Sequence, residues 1–143
     1  MLRGIHPLLG PDLLHALRSL GHGDEVVIAD ANFPAHSLGP QVIRLDGIDA
    51  LVAADAILTH LPLDTFAEAA AFRMEVVGDP AAVPPICESF AELVKNLAGP
   101  FEIVPLERFA FYDRARRASF IVATGERRLY GNLILKTGVL PLE

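Results

Sequence analysis

The stretch Glu25-Val26-Val27-Ile28-Ala29-Asp30 constrains the fold more than any other part of the chain. A strand with one wet face alternates apolar and polar residues. This run does not, so it reads as a central strand covered on both faces. The residues before it supply one cover. Pro11 suits a first helical position, Gly21 suits the left-handed residue after a helix end, and Leu13, Leu14, Leu17 and Leu20 form one apolar stripe. The spacing predicts a helix over 11–20.

Further along, 32–40 is rich in turn residues and 41–45 reads as a short strand. A helix is expected over 47–57 and a strand over 71–77. Pro84 and Pro85 open a helix that runs through Leu97 and stops at Gly99-Pro100. The last third predicts a strand over 101–104, a helix over 107–117 and a buried strand over 119–124. Gly125-Glu126-Arg127-Arg128 then turns the chain into a final strand over 132–136. Helices alternating with short β-branched runs point to one α/β domain over 1–143, three layers deep, with a largely parallel central sheet.

A chain of 143 residues suits one core. Apolar residues make up 52% of it, a high share, yet no run approaches the eighteen or so that a membrane helix needs. The first seven residues also lack the apolar region of a secretory signal. The surplus is therefore expected between subunits of a homo-oligomer. A formal net charge of −6 argues against nucleic acid, whose phosphates need clustered Lys and Arg. Arg114, Arg116 and Arg117 read as a solvated helix face. The single cysteine excludes an intrachain disulfide and points to the cytoplasm. Cys87 shares a helical stripe with Phe90, Val94 and Leu97, so it reads as core rather than nucleophile.

Sheets of this class bind ligands beyond the carboxyl ends of their strands, which is where Asp30 emerges. An ionised group directly after four apolar residues needs solvent, a cation or hydrogen-bond donors. It either caps the following turn or meets a ligand, and its position alone does not separate the two. His22 lies in Gly21-His22-Gly23, where glycines let the backbone turn and leave the imidazole accessible. Histidine both gives and takes protons near neutrality, as a reversible isomerisation requires. The alternative is a loop histidine bonded to a helix end. The glycine pair is no nucleotide fingerprint, because it follows a helix and opens a strand. His22, Asp30 and His36 match no metal-ligand spacing, so no metal is expected.

Tyr130-Gly131-Asn132 offers a phenol and a carboxamide suited to sugar hydroxyls. Arg108, at a helix start after a strand, could hold two hydroxyls with its planar fork, and its charge is disfavoured there by the helix dipole. A surface salt bridge to Glu107 or Asp113 is the other reading.

Taken in order, Leu20-Gly21-His22-Gly23-Asp24-Glu25, 29–37, 39–44, 108–112, 124–127 and Tyr130-Gly131-Asn132 closely resemble the L-fucose mutarotases. The motifs span 1–139, although 51–100 carries little signature. They resemble the superfamily shared with the D-ribose pyranases. In that second branch a histidine is expected in place of Arg108, and Tyr-Ala-Asn in place of Tyr130-Gly131-Asn132. The resemblance implies that His22 is the catalytic acid/base and that Asp30, Arg108, Tyr130, Gly131 and Asn132 contact a monosaccharide. It also implies a ring-like homo-oligomer, often a decamer, with sites near subunit boundaries.

On this reading His22 shuttles the proton, and Asp30 orients it or accepts a sugar hydroxyl. Arg108, Tyr130 and Asn132 fix the sugar, with Tyr130 as a possible proton relay. Such ring opening needs no cofactor. The competing expectations are a ribose-type pyranase and a non-catalytic sugar-binding accessory protein of transport or regulation.

Overall fold

The computed structural model describes residues 1–142. Six strands form one sheet: β1 (Glu25–Ala29), β2 (Gln41–Leu45), β3 (Ala71–Met74), β4 (Ile103–Leu106), β5 (Phe120–Thr124) and β6 (Leu133–Lys136). Their order across the sheet is β2-β5-β1-β6-β3-β4. β1 and β2 both run parallel to β5, and β3 runs parallel to β4. Only β6 is reversed, lying antiparallel between β1 and β3. The expected largely parallel sheet is therefore present, with one inverted strand.

The lack of alternation in β1 has the cause inferred from it. Val26 and Ile28 pack into a core with α1 (Pro11–Arg18), α3 (Ala50–Leu58) and α4 (Pro85–Leu97). Val27 and Ala29 point the other way, toward α2 (Ala35–Leu38) and α5 (Arg108–Arg116). Both faces of the strand are dry, and Val26 to Ala29 are fully buried. Burial of Val26, Val27 and Ile28 contributes roughly 1.5–3 kcal/mol each, which favours this pairing over any register that exposes the strand.

Several boundaries differ from the expectation for local reasons. α2 lies inside the segment read as turn, since a single helical turn has too few residues to show a periodicity. α3 starts at Ala50 rather than near Gly47, because the Asp49 side chain accepts the Val52 backbone N–H and sets the cap. β3 stops at Met74, after which the chain turns through Val76 and Asp79. β4 sits two residues later than expected and contains Pro105, which lacks an N–H and is tolerated because β4 is an edge strand. Cys87 is buried beside Phe90 and Val94 as expected, whereas Leu97 faces outward at the helix end.

Candidate functional site

The carboxyl end of β1 and the start of β6 are held together by two side chains. The Asp30 backbone N–H donates to Asn132 Oδ1 at 2.8 Å, and Asn132 Nδ2 donates to Asp30 Oδ2 at 3.0 Å. Asp30 Oδ1 also accepts the Asn32 N–H at 2.9 Å. The turn-capping reading of Asp30 is thus present in the fold, and the same carboxylate lines a cavity. Burial pushes its proton affinity above the ordinary carboxylate value, opposed in part by donors from Asn32, Asn132, Gly131 and Phe33.

That cavity has a volume of about 320 Å³ and is lined by Asp30, Asn32, Phe33, Met74, Val77, Arg108, Tyr112, Leu129, Tyr130 and Asn132. It lies at the low end of the roughly 300–1,000 Å³ typical of small-molecule sites. Two larger hollows, of about 390 and 720 Å³, lie along α3 and α4 and beneath 62–70. Neither gathers comparable polar groups at the carboxyl end of a buried strand.

Tyr130 enters the cavity from a left-handed backbone conformation, φ +65°, which is uncommon for a residue with a Cβ. Its neighbour Gly131 is closely packed, so a larger residue would push side chains aside. A Cβ there would lie 2.8 Å from Glu126 Cγ and 3.0 Å from Ile86 Cδ1. The Tyr130 hydroxyl accepts the Val77 N–H at 3.0 Å, which leaves its own proton free to donate. Arg108 Nε donates to the Tyr112 hydroxyl at 3.3 Å, and its guanidinium carbon lies 5.5 Å from the Phe109 and Tyr112 rings. Among the described residues Arg108 pairs with no carboxylate, since Glu107 caps α5 and Asp113 pairs with Arg116. Arg114 is not a solvated residue as expected. It makes two bonds to Glu25 and lies over the Phe72 ring at 3.7 Å.

The structure brings Asp30, Arg108, Tyr130 and Asn132 together, with Gly131 behind them. It does not bring His22 to them. His22 precedes β1 and Asp30 follows it, and the five residues between the strand ends span about 16 Å. The register repeats the separation: Ile28 pairs with Leu133, beside Asn132, whereas Glu25 pairs with Lys136. Asp30 is therefore out of reach of its own chain's His22. The imidazole instead meets Asp64, whose Oδ1 lies 3.0 Å from His22 Nε2. The same separation keeps His22 out of any common centre with Asp30 and His36.

Tyr112, Phe33, Met74, Val77 and Leu129 were not singled out from the sequence. Tyr112 was within reach of such reasoning, standing four residues after Arg108 on one helix face. Asp64 was not, because it lies in a stretch without recognisable motifs.

The sequence profile of the RbsD / FucU transport protein family matches residues 3–140. A fucose mutarotase of Danio rerio is 47% identical, covering 100% of this chain and 97% of its own. The crystal structure of the fucose mutarotase from Streptococcus pneumoniae in complex with L-fucose superposes with a TM-score of 0.90 at 38% identity, covering 98% of this chain and 100% of that one. Bacillus subtilis RbsD complexed with D-ribose is more distant, with a TM-score of 0.74, 26% identity and coverage of 95% and 98%. With a matching profile over almost its whole length and a relative at this identity, the chain belongs to the RbsD / FucU family.

Proposed function

We propose that the protein is an L-fucose mutarotase, an isomerase that interconverts the α- and β-anomers of its sugar without a cofactor. The observation that carries this reading is the cavity at the carboxyl end of β1. There a carboxylate, a guanidinium, a phenol with a free proton and a carboxamide face apolar side chains. The polar groups suit sugar hydroxyls. Val77, Leu129 and Met74 suit the methyl group that distinguishes a 6-deoxyhexose from its parent sugar. Arg108 and the Tyr130-Gly131-Asn132 sequence support the fucose over the ribose branch, as do the identities of 47% and 38% against 26%.

In this reading the anomeric O1 gives its proton to the His22 imidazole as C1=O1 forms. The C1–O5 bond breaks, and O5 takes the Tyr130 hydroxyl proton. After rotation about C1–C2, O5 returns that proton and attacks the other carbonyl face, while imidazolium reprotonates O1. Asp30, Arg108 and Asn132 hold the remaining hydroxyls. General acid/base help of this kind is worth about 10²–10⁴-fold per group, enough for a reaction that already runs in water.

Because β1 separates His22 from the cavity, the imidazole is supplied by a second copy of the chain. Exposed apolar groups stand at both ends to be covered: Phe66 beside His22, and Val77, Phe109 and Leu129 around the cavity. The assembly we favour is a closed homo-oligomeric ring, a decamer as the family resemblance implies, located in the cytoplasm. No helix of the described residues is long and apolar enough to cross a membrane.

Saturation-transfer NMR between α- and β-L-fucose tests the reaction. The wild-type protein should speed anomer exchange, and His22→Ala should lose at least about 10² of that acceleration with its sugar affinity retained. Binding without acceleration by the wild type would instead mark a sugar-binding accessory protein. Exchange between ring sizes of ribose, with none between fucose anomers, would mark a pyranase.

A further inference from the structure

His22 does not stand free at its end of the sheet. Its Nε2 lies 3.0 Å from Asp64 Oδ1, and the same oxygen accepts the Phe66 backbone N–H at 2.9 Å. Phe66 then folds its ring against the imidazole, with centroids 5.5 Å apart at 60°. Asp64 is itself fixed. Its backbone N–H donates to Lys136 O, and Leu63 bridges Thr137 across the end of β6. Gly138 lies so close that a Cβ on it would sit 2.4 Å from Leu63 O and 2.9 Å from Asp64 Cα. The carboxylate is 4% exposed, whereas the imidazole it holds is 47% exposed. One face of the ring is therefore anchored and the rest is open to a visitor.

We propose that Asp64 is the positioning residue of the proton shuttle, holding His22 Nε2–H so that Nδ1 is the nitrogen that exchanges protons with the sugar. The proposal rests on His22 acting as the acid/base. The Phe66 N–H first, and His22 after it, hold the Asp64 carboxyl below the usual carboxylate range, so it is ionised at neutral pH. An ionised carboxylate only accepts hydrogen bonds, so Nε2 must carry the proton. In the neutral imidazole the lone pair then lies on Nδ1. Taking the O1 proton at Nδ1 creates an imidazolium whose Nε2–H still points at Asp64, so the transfer changes charge without turning the ring. The carboxylate lowers the cost of that cation, and Phe66 limits rotation about the side-chain bonds. Asp64 takes no proton and touches no sugar.

The first measurement reads the wild-type protein. Nitrogen-15 shifts of the histidines in the wild-type assembly, with His22 assigned by its loss in His22→Ala, should show His22 protonated at Nε2 and bare at Nδ1. Asp64→Asn, which can donate as well as accept at that position, should move the population toward the Nδ1–H form. It should lower kcat for fucose anomer exchange by roughly 10²-fold, the lower end of a general acid/base contribution, and leave KM within about twofold. A wild-type His22 protonated at Nδ1 overturns the proposal. So does an Asp64→Asn protein with wild-type kcat while His22→Ala is inactive, and in that case the histidine's role survives. Wild-type exchange in His22→Ala overturns the role of His22 and this inference together. If Asp64→Asn fails to fold, the wild-type shifts alone decide.

Discussion

Glu126 shows how much a single buried carboxylate organises. It is 3% exposed, accepts the backbone N–H of Ala50 and of Arg128, and receives two further bonds from the Arg128 guanidinium. The Arg128 side chain is the largest cause that holds its pKa at about 2, below an ordinary 4.5. A carboxyl depressed by folding contributes stability above its unfolded value and loses it as pH falls through the folded one. Stability should therefore fall between about pH 4.5 and 2 by at most about 3 kcal/mol, reduced by the solvent around half-exposed Arg128. Urea midpoints against pH check this. Glu126→Gln should be less stable at pH 7, and its deficit should close toward pH 2. A pH-independent deficit would refute the linkage.

Residue by residue, the sequence was legible where chemistry is local. Asp30, Arg108, Tyr130 and Asn132 were each suspect because a polar group stood at the end of an apolar strand or at a helix start. His22 was suspect for its glycine neighbours, but its partner was not legible. Asp64 is 42 residues away, and only the folded chain places it against the imidazole.

At the scale of elements, the junction before β6 does more than connect. Its left-handed Tyr130 aims the phenol, and Gly131 lets the chain pass between Glu126 and Ile86. Gly131→Ala should cost about 1–3 kcal/mol, since the side chains it meets have to move. It should also weaken sugar binding, because the displaced turn carries Tyr130 and Asn132. A thermal melt and a fucose titration measure the two effects; unchanged values in both would show that the turn has slack. Helices and strands with strong periodicity could be read in advance. The four-residue α2 could not, nor could the position of β4, whose proline suits only an edge that the sequence does not reveal. The inversion of β6 was equally hidden, since a buried strand has the same pattern in either direction.

For the whole molecule, the placement of His22 and the cavity at opposite ends of one strand predicts complementation between copies. His22→Ala and Arg108→Ala chains should each be inactive alone. Unfolded and refolded together in equal amounts, they should regain about a quarter of the wild-type acceleration, the share of interfaces in which both contributors are intact when copies pair at random. Saturation transfer on the mixture reads it directly. Failure to recover activity in verified mixed assemblies would show that each chain completes its own site by a rearrangement of the loop around His22. The apolar surplus read from composition fits the same picture, because exposed apolar groups stand at both ends, Phe66 beside His22 and Val77, Phe109 and Leu129 around the cavity.

The length of β1 also sets a kinetic order. If no single chain holds both the proton shuttle and the sugar, catalysis belongs to pairs. Diluted below the dissociation constant of the subunit contact, the enzyme should lose activity faster than its concentration falls, approaching a second-power dependence on chain concentration for isolated pairs. On the proposal that two copies complete each site, a five-residue strand would make the abundance of the protein a control on its specific activity.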